Sequence, residues 1–160
     1  MDIEFGCGEN PTKLGFKTCD IRKLPKIDFV CPAWEIDKLI NHSSVDNIFS
    51  RHFFEHLTFD QGRRTLRAWH NIMKTDAICE MMLPNMDYHI QQWISGKHIE
   101  HAQAGFWGWQ REGDSDVWDI HKSGYNLYTL QNILTEENFT NIYCVRNKGK
   151  HLHVKFSKSI

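Results

Sequence analysis

Seven residues, Ala77 to Leu83, are apolar except for Glu80, and Pro84 closes the run. A strand carries apolar side chains on both sides when both its faces are covered, which is the position of a central strand in a largely parallel sheet. The rest of the chain is therefore read for strands to flank this one and for helices to cover it.

Asp2 to Phe5 is a short apolar-leaning strand that runs into Gly6-Cys7-Gly8. Phe16 to Ile21 predicts a second strand finishing at Asp20, Ile27 to Cys31 a third closed by Pro32, and Ser44 to Arg51 a fourth with Val45, Ile48 and Phe49 apolar. Thr58-Phe59-Asp60-Gln61 has the pattern of a capping box, so a helix starts there. Leu66, Trp69, Ile72 and Met73 fall on one face of it, and Arg63, Arg64, Arg67 and Lys74 largely elsewhere. Leu127, Leu130, Ile133 and Leu134 predict a second amphipathic helix. Asn141 to Arg146 and His151 to Ser157 read as an antiparallel pair at the end of the sheet. Strands alternating with helices give an α/β fold: a mostly parallel twisted sheet with an antiparallel C-terminal pair and helices on both faces. Barely ten residues join Gly6 to the second strand, close to the minimum for a parallel crossover, so the first crossover helix is short or missing.

At 160 residues the chain is expected to be one domain, residues 1–160, with no internal repeat or boundary. Five scattered cysteines with no CxxC pair argue against a disulfide framework or a cysteine zinc knuckle, and fit a reducing cytoplasm. The 19 basic and 20 acidic residues leave a formal charge of -1 with no basic block, which disfavours a nucleic-acid partner. No signal-peptide pattern opens the chain and no apolar run approaches about eighteen residues, so it is expected to be soluble and unprocessed, with no membrane partner. Oligomeric state is left open.

In such sheets a ligand lies at the carboxyl ends of the strands, near the point where strand order reverses. Glu4-Phe5-Gly6-Cys7-Gly8 puts two glycines at such an end, where missing Cβ atoms let main chain turn sharply and approach a ligand; an ordinary Gly-rich turn has the same composition. The dinucleotide fingerprint wants a small residue three places after Gly8, and Pro11 stands there, which disfavours NAD. A ligand without a pyrophosphate has no need of a helix amino terminus. Asp20, at the end of the second strand, offers two oxygens to the hydroxyls of a ribose, or is a plain acidic turn residue.

Taken together, these motifs resemble class I methyltransferases that use S-adenosylmethionine, and within them a compact group whose members often accompany glycan-modifying genes. Glu4-Phe5-Gly6-Cys7-Gly8 is similar to the family's first motif, Asp20-Ile21 to its ribose-binding strand end, and Arg51-His52-Phe53-Phe54-Glu55-His56-Leu57 to the segment after its fourth strand. Asn71-Ile72-Met73-Lys74-Thr75-Asp76 and Leu83-Pro84-Asn85 resemble the turn into its fifth strand and the exit from it. Gly108-Trp109-Gln110 and His121 also have counterparts in the compact group, so the resemblance spans nearly the whole chain. It implies a Rossmann-like fold with S-adenosylmethionine as cofactor. Main chain at Phe5, Gly6, Cys7 and Gly8 would hold the methionine part, Asp20 and Ile21 the ribose, Ala33 and Trp34 the adenine, and Arg51 and His52 the far side of the methionine. One position departs from the pattern: Pro32 stands where family members often carry an Asp for the adenine amino group.

His52-Phe53-Phe54-Glu55-His56 also fits the HxxEH pattern of inverted zinc peptidases. A catalytic zinc wants a third protein ligand and a helix to carry the pair, whereas this segment ends a strand; a zinc-dependent hydrolase is therefore the lesser reading, and no metal is expected. His151 and His153 alternate on a strand and point to opposite faces. His121 is either a structural histidine or, as its family counterpart implies, a residue near the acceptor.

Methyl transfer from a sulfonium is one in-line displacement, for which the protein mainly aligns the reactants. A hydroxyl acceptor needs a base, and His121 and His56 are the candidates. The stretch from Trp93 to Trp118, with Phe106, Trp107 and Trp109 among Gly105, Gly108 and Gly113, forms either a lid over a flat acceptor or part of the core or a dimer seam. The chain has no Asn-Pro-Pro-aromatic motif after its fourth strand, and Cys31-Pro32 reverses the Pro-Cys of cytosine-carbon enzymes, so a small-molecule or glycan acceptor is expected. The rival reading is a catalytically inactive S-adenosylmethionine-binding regulatory or assembly subunit.

Overall fold

The computed structural model describes residues 1–110 and 117–158. Seven strands form one sheet: β1 Asp2–Phe5, β2 Lys17–Asp20, β3 Phe29–Val30, β4 Val45–Arg51, β5 Met73–Pro84, β6 Phe139–Arg146 and β7 His151–Lys158. Their order across the sheet is β3-β2-β1-β4-β5-β7-β6. The first five are mutually parallel, β7 runs antiparallel to β5, and β6 antiparallel to β7. This is the expected mostly parallel sheet with its antiparallel C-terminal pair. Strand order reverses between β1 and β4, so their carboxyl ends flank the crevice where a ligand belongs.

Helix α1, Phe59–Ile72, starts at Thr58, whose hydroxyl accepts from Gln61 N–H while Gln61 Oε1 accepts from Thr58 N–H, the reciprocal box read in the sequence. Leu66, Trp69 and Ile72 are fully buried, and the Trp69 ring lies 4.9 Å from that of Phe5 on β1. Met73 is buried too, but as the first residue of β5. Helix α4, Leu127–Glu136, packs beside α1: Glu137 at its end receives two hydrogen bonds from Arg67 and one from Arg63.

The helices surround the sheet unevenly. Among the described residues none lies between Phe5 and Lys17, as the short crossover required. The segment instead folds over the sheet face that carries Glu4, Phe49 and Glu80. The buried Glu4 carboxylate accepts from Thr12 N–H, the Thr12 hydroxyl and Lys13 N–H, and Lys13 Nζ lies 4.3 Å over the Phe49 ring and 3.5 Å from Glu80. A carboxylate satisfied by main-chain amides does here the anchoring that a helix does by apolar contact.

Two helices that the sequence did not announce, α2 Met86–Ser95 and α3 Ile99–Trp107, form a hairpin at the carboxyl end of the sheet. Among the described residues no helix is long and apolar enough to cross a membrane.

Candidate functional site

At the carboxyl ends of β1, β2 and β4 lies a cavity of about 280 Å³. Gly6, Cys7, Gly8, Asp20, Ile21, Ala33, Trp34 and His52 all line it, and so does Pro32. Gly6 and Gly8 hold φ of 65° and 59°, in the left-handed region that side chains disfavour. A Cβ on Gly6 would meet the Phe53 ring at 2.2 Å. Gly6 N–H donates to Cys19 O at 2.8 Å, so the turn leaves β1 while still paired to β2.

Asp20 is 5% exposed and faces that turn: its Oδ2 accepts from Gly8 N–H at 3.1 Å. Both oxygens are also engaged by Arg22. Oδ1 accepts from Arg22 N–H at 2.9 Å and Nε at 3.1 Å, and Oδ2 from Nη2 at 3.3 Å. The hydrogen bond to Asp20 raises the Arg22 pKa, so the fork is a charged pair. The guanidinium also lies 5.8 Å over the Trp118 ring, on the opposite wall. Arg22 therefore engages both Asp20 oxygens, and any ligand that bonds this carboxylate competes with its side chain. Sequence reading passed over Arg22. The readable signal was its position two residues after an Asp at a strand end, where an Asx-turn forms.

Two residues named with the cofactor do not line the cavity. Phe5 is buried beneath it, its ring against Trp69, and only its neighbours in the turn reach the space. Arg51 is exposed, paired in register with Met82 on the face away from α1. A strand's period of two explains this: Ser50 and Arg51 point to opposite sides, and the chain turns into the cavity only at His52, where φ is 49°. Cys7 lines the cavity, but burial, then Glu4 and Asp20, push its thiol up to about 11, so it is no nucleophile at neutral pH.

His52, His56 and Asp119 are shared with a second cavity of about 410 Å³. Six of the chain's ten histidines line it: His52, His56, His89, His101, His121 and His151, with Glu55 among them. No stripe or spacing pointed to this gathering, because four separate segments contribute to it. His56 belongs to a single 3-10 turn, Phe54–His56, and touches both cavities; His121 touches only the second. Their rings lie edge to face at 5.0 Å. His56 Nδ1 faces Ile120 O at 3.1 Å and His121 Nδ1 faces Gly105 O at 2.9 Å. A carbonyl only accepts, so each Nδ1 carries the proton and each Nε2 keeps a free lone pair. Burial holds His121 below its ordinary pKa, and burial, then His52 and Lys150, bring His151 down to about 4.

Glu55 is 1% exposed, and among the described residues neither carboxylate oxygen has a hydrogen-bond partner; His52 Nδ1 stands 3.4 Å from Oε1. Burial alone would raise its pKa, but the combined pull of His52, His56 and His121 holds it below the ordinary value. Along the chain, His52 and His56 lack the third protein ligand that a catalytic zinc wants. The fold supplies a different trio, Glu55, His56 and His121, with one donor atom of each within 4.8 Å of the others.

The tryptophan-rich stretch divides. Trp93, Phe106 and Trp107 pack on one another within the α2–α3 hairpin at 5.4–5.9 Å, with Trp93 and Trp107 still half exposed, whereas Trp118 lines the first cavity. Gly113 lies outside the described residues.

No family model matches this chain, and no curated protein matches it. Solved structures do. A SAM-dependent methyltransferase from Archaeoglobus fulgidus superposes with a TM-score of 0.66 at 16% identity, over 98% of this chain and 85% of that one. A SAM-dependent methyltransferase from Methanosarcina mazei gives 0.65 at 12% identity, over 99% and 92%. The Burkholderia thailandensis 1,6-didemethyltoxoflavin-N1-methyltransferase, solved with 1,6-didemethyltoxoflavin and S-adenosylhomocysteine bound, gives 0.62 at 12% identity, over 99% and 71%. With its strand order, its reversal point between β1 and β4 and its glycine turn, this chain has the fold of the class I S-adenosylmethionine-dependent methyltransferases.

Proposed function

We propose that residues 1–160 act as one unit that binds S-adenosylmethionine and transfers its methyl group, by in-line displacement, to a small-molecule or glycan acceptor. The observation that carries this reading is the first cavity, where bare main chain at Gly6 and Gly8 and the Asp20 carboxylate share one wall. The methionine part lies along the glycine turn, the ribose on Asp20 once Arg22 has swung aside, and the adenine near Ala33 and Trp34. Pro32 offers the adenine a flat apolar edge in place of a carboxylate. The second cavity, joined through His52 and His56, takes the acceptor. Five free thiols support work in a reducing compartment such as the cytoplasm.

A ligand at about 100 times its dissociation constant adds about 2.7 kcal/mol. S-adenosylmethionine and S-adenosylhomocysteine should therefore each raise the melting temperature by about 5–10 °C for a chain of this size. No shift with either at millimolar concentration would remove the methyl-donor reading. The fork of Arg22 on Asp20 favours one alternative, a binding subunit without catalysis; a thermal shift without release of S-adenosylhomocysteine across acceptor classes would establish it.

For a hydroxyl acceptor, His121 or His56 takes the proton through its free Nε2. A base works only when neutral, and burial lowers the His121 pKa. With His121 as the base, kcat/KM should be flat at neutral pH and fall about tenfold per pH unit below a midpoint under the ordinary histidine value of about 6.5. The same profile from both His121→Ala and His56→Ala proteins would rule these residues out as bases.

A further inference from the structure

The Glu55 carboxylate is a buried acceptor that, among the described residues, receives no hydrogen bond in good geometry, with only His52 Nδ1 at 3.4 Å from Oε1, an expensive arrangement unless something positive belongs beside it. Beside it stand two imidazoles whose tautomers are fixed by main-chain carbonyls, Ile120 O for His56 and Gly105 O for His121. Metal-binding histidines recur in this state, one ring N–H donated to a carbonyl so that the other nitrogen presents its lone pair. We propose that Glu55, His56 and His121 form a binding site for a divalent transition metal, zinc above all, on the wall of the acceptor cavity.

Two imidazoles and one carboxylate make a three-ligand set suited to zinc with open positions, and the cavity of about 410 Å³ supplies room for what fills them. Donor atoms on one tetrahedral zinc at about 2.0–2.1 Å stand about 3.3–3.4 Å apart. The trio, whose donor atoms lie within 4.8 Å of one another, has to draw in by up to about 1.4 Å to seat the ion. His52 Nδ1, 3.4 Å from Glu55 Oε1, is placed to steady the carboxylate from behind. Metal binding here does not rest on the methyl-donor reading. Where both hold, an Nε2 bound to a metal takes no proton, and the metal replaces the imidazole base by lowering the pKa of an acceptor hydroxyl bound to it, whose proton passes to solvent water before the oxygen attacks the methyl group.

The test uses the full chain, stripped with chelator and titrated with Zn²⁺ by calorimetry and with Co²⁺ by visible absorbance. One metal per chain is expected, with affinity falling at least tenfold in Glu55→Gln and in His121→Ala and unchanged in His101→Ala, whose ring lines the same cavity outside the trio. Because a core variant can fail to fold, long-range ¹H–¹⁵N spectra of the wild-type chain give a second reading. Zn²⁺ should shift the Nε2 signals of His56 and His121 and leave their Nδ1 protons in place. Absence of stoichiometric binding, or shifts confined to other histidines, would overturn the proposal. Thermal shift by S-adenosylmethionine on the same stripped sample scores the methyl-donor reading separately.

Discussion

Gly6→Ala is expected to lower the melting temperature by about 4–20 °C and to weaken S-adenosylmethionine binding at least about 100-fold. Two costs add. A side chain at φ of 65° costs about 1–2 kcal/mol in backbone strain. The new methyl also meets Phe53 at its Cδ2, Cγ and Cβ atoms, 2.2–2.6 Å away, so the ring cannot evade it by a terminal rotation. Overpacking of that kind costs about 1–3 kcal/mol. Phe53 precedes the turn that holds Glu55 and His56, so its displacement disturbs the cofactor cavity and the histidine-lined one together. Gly15→Ala separates the two costs: its φ is 85° but nothing lies within 4 Å, so it should show the strain alone, about 2–8 °C. Equal losses from the two variants would mean that Phe53 does not press on the turn, and unchanged cofactor affinity in Gly6→Ala would mean that the methionine part lies elsewhere.

Strands β1 and β5 were legible as apolar runs with a clear stop, the glycines after Phe5 and Pro84 at the end of β5, and β2 by the Asp20 that ends it. The start of β5 was not. Lys74, Thr75 and Asp76 are exposed and polar, Asp76 has φ of 65°, and the ladder to β4 shifts register there, so the residues pattern as a turn while pairing as a strand. The α2–α3 hairpin escaped for the opposite reason. Its buried positions are His89, Gln92, Ala102, Ala104 and Gly105, polar or small residues, while Ile94, Trp93 and Trp107 stay exposed. A helix that buries its polar side defeats a search for an apolar stripe. In the site, the place of Gly6, Gly8 and Asp20 around the first cavity could be read because it is written in residue type and strand position. The meeting of His56 with His121 could not, since it depends on Gly105 and Ile120 offering carbonyls to rings far apart in the chain.

Asp20→Asn and Arg22→Ala should move cofactor affinity in opposite directions. Asn keeps the shape of Asp but loses the charge that makes its hydrogen bonds strong, and one acceptor oxygen becomes a donor. Bonds to a charged group are worth about 1.5–3 kcal/mol, so Asp20→Asn should weaken S-adenosylmethionine binding about 10–100-fold. Arg22 competes for the same oxygens. Its side chain is 34% exposed, so the pair with Asp20 is partly screened and worth no more than about 1 kcal/mol. Removing it spares the cofactor that cost and should tighten binding about fivefold. Gly8 N–H and the main-chain N–H of residue 22 still hold the carboxylate in place, so the fold should lose little. Calorimetric titration of the three proteins decides the matter. If Asp20→Asn binds S-adenosylmethionine as the wild type does, the ribose is not on Asp20; if Arg22→Ala binds it more weakly, the guanidinium is a cofactor ligand rather than a competitor.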